Sequence, residues 1–213
     1  MIAVTGMEDL LFQLANALRY PVFAAAIGAL VFVLFDLGAF FVELNRRRGA
    51  GRRRYVQEAA AGARQALSVD DPAAAQLALM PLASSAQMAD TLVSLVDGHN
   101  EPGIQDRRAK ALADFDLTSL RKLERSRMLV RFGPALGLMG TLIPLSPALE
   151  GLAKGDVAQL SDNLRAAFSV TVLGLLIGAV AFSISLVRDR LYAQDLSDLE
   201  YVAATLDPGE LGW

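Results

Sequence analysis

The sequence predicts an all-α membrane protein with three transmembrane helices and a helical cytoplasmic insert. Three observations predict it. Hydrophobic residues make up 54% of the chain, above the roughly 45–50% of soluble domains. The excess collects in three apolar blocks instead of spreading evenly. Of the 20 lysines and arginines, 14 fall in the segment 46–129 between the first two blocks.

The segments follow in order. Residues 1–19 read as an N-terminal periplasmic or interfacial segment. Leu10, Leu11, Leu14 and Leu18 would form one apolar side of a short amphipathic helix there. The first charges are Glu8 and Asp9, so no basic region of the signal-peptide kind opens the chain. The first span is expected over 20–45, with Pro21 suited to a first helical turn. Asp36 is its one interior charge, and Glu43 stands at helical pairing distance from Arg47. The second span is expected over 130–150. Its 18 uncharged residues, Phe132 to Leu149, include Pro134, Pro144 and Pro147, which neighbouring helices make tolerable in a membrane. A periplasmic loop is expected at 151–165. Glu150 and Asp156 lie there and suit either an outer rim or a solvated loop. The third span is expected over 166–187, which carries no charge at all and stops at Arg188 and Arg190.

The asymmetry of basic residues gives the orientation. The insert 46–129 belongs in the cytoplasm, the N-terminus outside and the C-terminus inside. Within the insert, alanine, leucine and arginine favour helices. Helices are expected at 53–68 and 72–96, with breaks near Asp70-Asp71-Pro72 and Gly98–Gly103. A further helix is expected from 104, continuing straight into the second span. The cytoplasmic tail 188–213 should begin as an amphipathic helix to residue 206. Leu191, Leu196, Leu199 and Val202 would supply its apolar stripe, and Asp207-Pro208-Gly209 would end it.

The chain has no cysteine and one histidine, His99, in a turn-like stretch. No metal or thiol chemistry is expected. No Walker, HExxH or GxSxG motif occurs, so the chain is not expected to be an enzyme. No cofactor and no nucleic-acid partner are expected.

The informative pattern lies in the second and third spans. In the third, Ala167, Thr171, Gly174, Gly178, Ala181 and Ser185 recur at steps of four and three, on one helix face. In the second, Pro134, Gly137, Thr141, Pro144 and Ala148 do the same. Both faces are small, with a threonine midway. Small faces let helices pack closely. They also suit the wall of a pore or polar cavity. Spacing alone leaves both readings open.

Gly137-Leu138-Met139-Gly140-Thr141 resembles the glycine-flanked threonine of the second pore helix in the MotA/TolQ/ExbB proton channel family. Ala167-Phe168-Ser169-Val170-Thr171-Val172-Leu173-Gly174-Leu175 is similar to the third-helix motif, with its threonine three residues before a glycine. The three-span order and the insert after the first span also match. The resemblance implies a homo-pentameric ring in the inner (cytoplasmic) membrane. Its lumen would hold the transmembrane helices of a single-span partner with a membrane-embedded aspartate, of the ExbD/TolR/MotB kind. Ion flow past that aspartate would drive mechanical work. Thr141, Thr171, Pro144, Gly174 and Gly178 would then line the ion pathway. Some branches carry a glutamate five residues before the third-helix threonine, where this chain has Ala166. That leaves proton and sodium both open. Asp36 is a second candidate ionisable group, although the first helix lies outside the family's pore ring. A hydrogen-bonded Asp36 facing another span is the simpler expectation. The other reading of the chain is a non-conducting helical scaffold of some other membrane complex.

Overall fold

A computed structural model describes residues 10, 13–14, 16–47 and 52–207, except the side chains of Arg46, Arg52 and Arg53. Glu8, Asp9, Leu11, Pro208 and Gly209, which figure in the expectations for the two ends, lie outside the described residues. Leu10, Leu14 and Leu18 are described and exposed.

The described residues form helices and no strand. They are α1 (Arg19–Arg46), α2 (Arg52–Ser68), α3 (Pro72–Leu79), a 3-10 turn (Met80–Leu82), α4 (Ala86–Val96), α5 (Ile104–Ala153) and α6 (Val157–Leu206). Among them α1, α5 and α6 are long and apolar enough to cross a membrane. Two of these, α5 and α6, have 50 residues each. At 1.5 Å per residue each is about 75 Å long, against a hydrocarbon core of about 30 Å. Each therefore carries a polar stretch beyond its span as one continuous helix.

The residues divide into two compact units. One comprises 1–40 and 124–185, the other 41–123 and 186–213.

The second unit has a conventional buried core. Val56, Ala60 and Ala63 of α2 meet Ala75 and Leu79 of α3. Met88, Leu92, Leu95 and Val96 of α4, Phe115 of α5, and Leu199, Val202 and Leu206 of α6 complete it. The expected stripe on the last helix is thus buried at Leu199 and Val202, with Leu196 packed at the margin. Local chemistry sets the helix ends. Asp71 accepts the amide of Ala74 ahead of Pro72, a capped start with proline in the first turn. Asp70 just before it takes a left-handed φ of 58°. At the end of α4, Gly98 has φ 70°, where a side chain would strain the turn.

Two expectations change. A single helix over 72–96 is broken at residues 80–85. Pro81 has no amide to donate to the preceding turn, the backbone is extended at Ala83, and Ser85 caps a new helix by accepting the Met88 amide. The loop expected at 151–165 shrinks to residues 154–156. Gly155 turns the chain at φ 76°, and Asp156 accepts the Gln159 amide at the start of α6. Charges at Asp162 and Arg165 end the apolar stretch but not the helix.

A charged cluster in this unit goes beyond the sequence reading. Glu43 and Arg47 pair as expected, at 3.1 Å. Arg47 also meets Asp195 at 2.8 Å, Arg188 meets Glu43 at 3.3 Å, and Ser84 donates to Asp195 at 2.9 Å. The Arg47 guanidinium lies 6.0 Å from the Tyr192 ring centroid. His99 is largely buried, with Nε2 3.0 Å from an Asp70 carboxylate oxygen.

Candidate functional site

The site lies in the first unit, where α5 and α6 run antiparallel. Their contact rests on glycine. A Cβ at Gly174 would fall 2.5 Å from the Gly133 carbonyl oxygen and 2.7 Å from the Gly137 Cα. One at Gly178 would fall 2.9 Å from the Pro134 ring, and one at Gly133 would meet the Gly174 oxygen at 2.7 Å. Real Cβ atoms do not sit so near backbone, so these helices approach as they do only because the side chains are absent.

The placement of the five candidate pore residues follows. Gly174 and Gly178 are buried and face α5 of the same chain. Pro144 is also fully buried. Gly174 and Gly178 thus pack against α5 within one protomer. Thr141 and Thr171 differ. Both sit at the edge of the packed face and keep partial exposure. Thr141 donates to its own helix, to the Leu138 carbonyl at 2.7 Å. The Thr171 hydroxyl lies 3.1 Å from the Ala167 carbonyl and 3.3 Å from the Gly137 carbonyl across the helix pair. A hydroxyl has one proton and two lone pairs, so each threonine keeps acceptor capacity after donating. Pro144 adds a backbone acceptor: having no N–H, it leaves the Gly140 carbonyl without its usual helical donor. Gly140 immediately precedes Thr141.

Asp36 belongs to a different place. It accepts from Ser126 at 3.1 Å, and Ser126 is buried on α5 ahead of the second span. The structure brings Thr171 against Gly137 but does not bring Asp36 into that group. The same unit has a small apolar contact of Val33, Ile177 and Ala181, with Leu129 and Val130 beside it. At its other end Arg19 donates to the buried Asn163 at 3.2 Å and stacks on Phe23 at 5.9 Å. No run of three or more His, Cys, Asp or Glu side chains suited to a metal occurs among the described residues.

Three apolar helices, a glycine-sealed helix pair and two threonines at the edge of that seal define a multi-pass helical membrane protein with polar groups placed inside its apolar stretch. The model of the MotA/TolQ/ExbB proton channel family matches residues 76–200, and the chain belongs to that family. The matched stretch contains Thr141, Thr171 and every glycine of the seal. No curated protein matches the chain at a significant level.

Proposed function

We propose that the chain is an ion channel subunit of an energy-transducing complex, coupling an ion-motive force to work through a single-span partner. The chain forms a homo-pentameric ring in the inner (cytoplasmic) membrane, with the N-terminus outside and the insert inside. The partner's transmembrane helix carries an aspartate, and Thr141 and Thr171 face it. The observation that carries this reading is the contrast along the small faces. The glycines are buried in the helix pair, and Pro144 is buried as well, while the two threonines at the edge of the pair stay partly exposed. A carboxylate crossing that stretch needs donors, because burying it bare is very costly, and each hydroxyl would turn its proton from the helix carbonyl to the carboxylate.

The ion is a proton on the family's account, with sodium as the variant to test. The glycine seal by itself would equally serve a non-conducting scaffold. The two readings separate in liposomes holding this chain and its partner. Ion flux that depends on both hydroxyls supports the channel; flux indifferent to them, or absent with every partner tried, favours the scaffold.

A further inference from the structure

The contact between α5 and α6 changes character along its length. At Gly137 and Gly174 it is backbone on backbone. The atoms nearest a Cβ at Gly137 are the Thr171 Cα, the Thr171 carbonyl oxygen and the Gly174 Cα, and those nearest one at Gly174 belong to the Gly133 and Gly137 backbones. At Gly140 the nearest atoms are all carbons of the Val170 side chain. A Cβ on Gly140 would fall 2.8 Å from the Val170 Cβ, and nearer still to Cγ1. Here one side chain, set in a notch, stands between the helices and fixes how far apart they run.

Gly140 immediately precedes Thr141, and Val170 immediately precedes Thr171. The notch and the side chain that fills it are thus the chain neighbours of the two hydroxyls. Valine suits the task. Its two branches at Cβ leave one strongly preferred rotamer in a helix, so it does not swing aside. Both residues are buried, so the contact holds whatever surrounds the helix pair. Two donors that serve one group tolerate little drift: a misplacement of about 1 Å costs on the order of a hundredfold.

We propose that Val170, seated against Gly140, is a positioning residue of the ion path. It holds Thr141 and Thr171 at the separation at which both hydroxyls serve one carboxylate or one passing ion. It touches neither ion nor partner and acts through the threonines. The proposal rests on those hydroxyls belonging to the ion path.

The test is ion flux in liposomes holding the assembled chain and its partner, compared across a mutant cycle. Val170→Ala keeps the Cβ and loses both methyls that fill the notch. It assembles as the wild type does, by native mass measurement, and conducts roughly ten- to hundredfold less. Added to Thr171→Val, the same change lowers flux little further, because the hydroxyl it positions is already gone. Val170→Thr keeps the shape, can turn its hydroxyl to its own helix, and conducts nearly as the wild type. Wild-type flux from Val170→Ala beside a loss in Thr171→Val would overturn the proposal and leave the channel standing. So would an equal fold loss from Val170→Ala in both backgrounds, the mark of a general structural defect. Wild-type flux from the Thr141→Val, Thr171→Val double variant would remove the hydroxyls from the ion path, and this proposal with them. Where Val170→Ala fails to assemble, Val170→Thr decides: full flux supports a role of shape, and lost flux from an assembled variant overturns it.

Discussion

Arg47, at the end of the first apolar helix, places its guanidinium 2.8 Å from the carboxylate of Asp195, and the two side chains are only 4% and 1% exposed. Among the described residues Glu43 and Arg188 join them, so that cations and anions face one another in one largely buried group. Removing a single member leaves an uncompensated buried charge, which costs about 3–5 kcal/mol. Asp195→Ala is expected to lower stability by an amount of that order, read as a fall in the thermal midpoint of the detergent-solubilised protein. Arg47→Met with Asp195→Leu is expected to recover much of it, because a neutral pair of similar volume carries no desolvation penalty. A double variant no more stable than Asp195→Ala would show that the pair matters for something besides its charge balance.

The glycine seal gives a second prediction. Gly174 admits no Cβ without displacing the backbone of Gly133 or Gly137. Gly174→Val should therefore force α5 and α6 apart and cost about 1–3 kcal/mol or more, as overpacking does. Gly28 has open space around its Cβ position, so Gly28→Ala should be tolerated and serves as the control for membrane insertion. Equal thermal midpoints for the two variants would contradict the close approach described above.

Much of this fold was legible in residue patterns, and the exceptions share a cause. The long helices from 104 and past 188 follow from alanine- and leucine-rich composition and from stripes such as Leu196, Leu199 and Val202. The small faces were visible as spacing, but spacing could not say that Gly174 and Gly178 meet α5 of the same chain. That depends on which helix lies opposite, a tertiary fact. Asp195 was unreadable for the same reason: its partners Arg47 and Ser84 stand more than a hundred positions away. Asp36 was visible as an anomaly, yet Ser126 is 90 positions distant and lies ahead of the apolar block. The break at Pro81 was readable. The proline lacks a donor, and Ser85 heads a capped helix, but the surrounding alanines and leucines masked it.

Orientation yields a third prediction. The native chain has no cysteine, so single cysteines can be introduced without background. Ser68 and Lys154 are both exposed, in the insert and in the short turn between α5 and α6 respectively. In intact cells an impermeant thiol reagent should label Lys154→Cys and spare Ser68→Cys. The reverse pattern would invert the topology.

The threonines give the last prediction, where channel and scaffold part. Valine nearly matches the shape of threonine and lacks only the hydroxyl. At Thr171 the loss includes a bond to the Ala167 carbonyl at 3.1 Å, worth about 1 kcal/mol. That is small beside the glycine seal, so Thr141→Val and Thr171→Val should assemble as the wild type does. Native mass measurement checks this first. If the hydroxyls stabilise a partner's carboxylate or a passing ion, each removes a bond to a charged group, worth about 1.5–3 kcal/mol. Carried into a barrier, that is roughly a ten- to hundredfold loss of ion flux. Serine at either position keeps the hydroxyl and should keep most of the flux. Thr171→Val should be the more damaging, since its hydroxyl alone also faces a carbonyl of the neighbouring helix, that of Gly137 at 3.3 Å. Flux is measured in liposomes containing this chain and its partner, with a proton or a sodium gradient in separate arms. Wild-type flux from a correctly assembled Thr141→Val, Thr171→Val double variant would remove the hydroxyls from the ion path and leave the small faces with packing as their whole role.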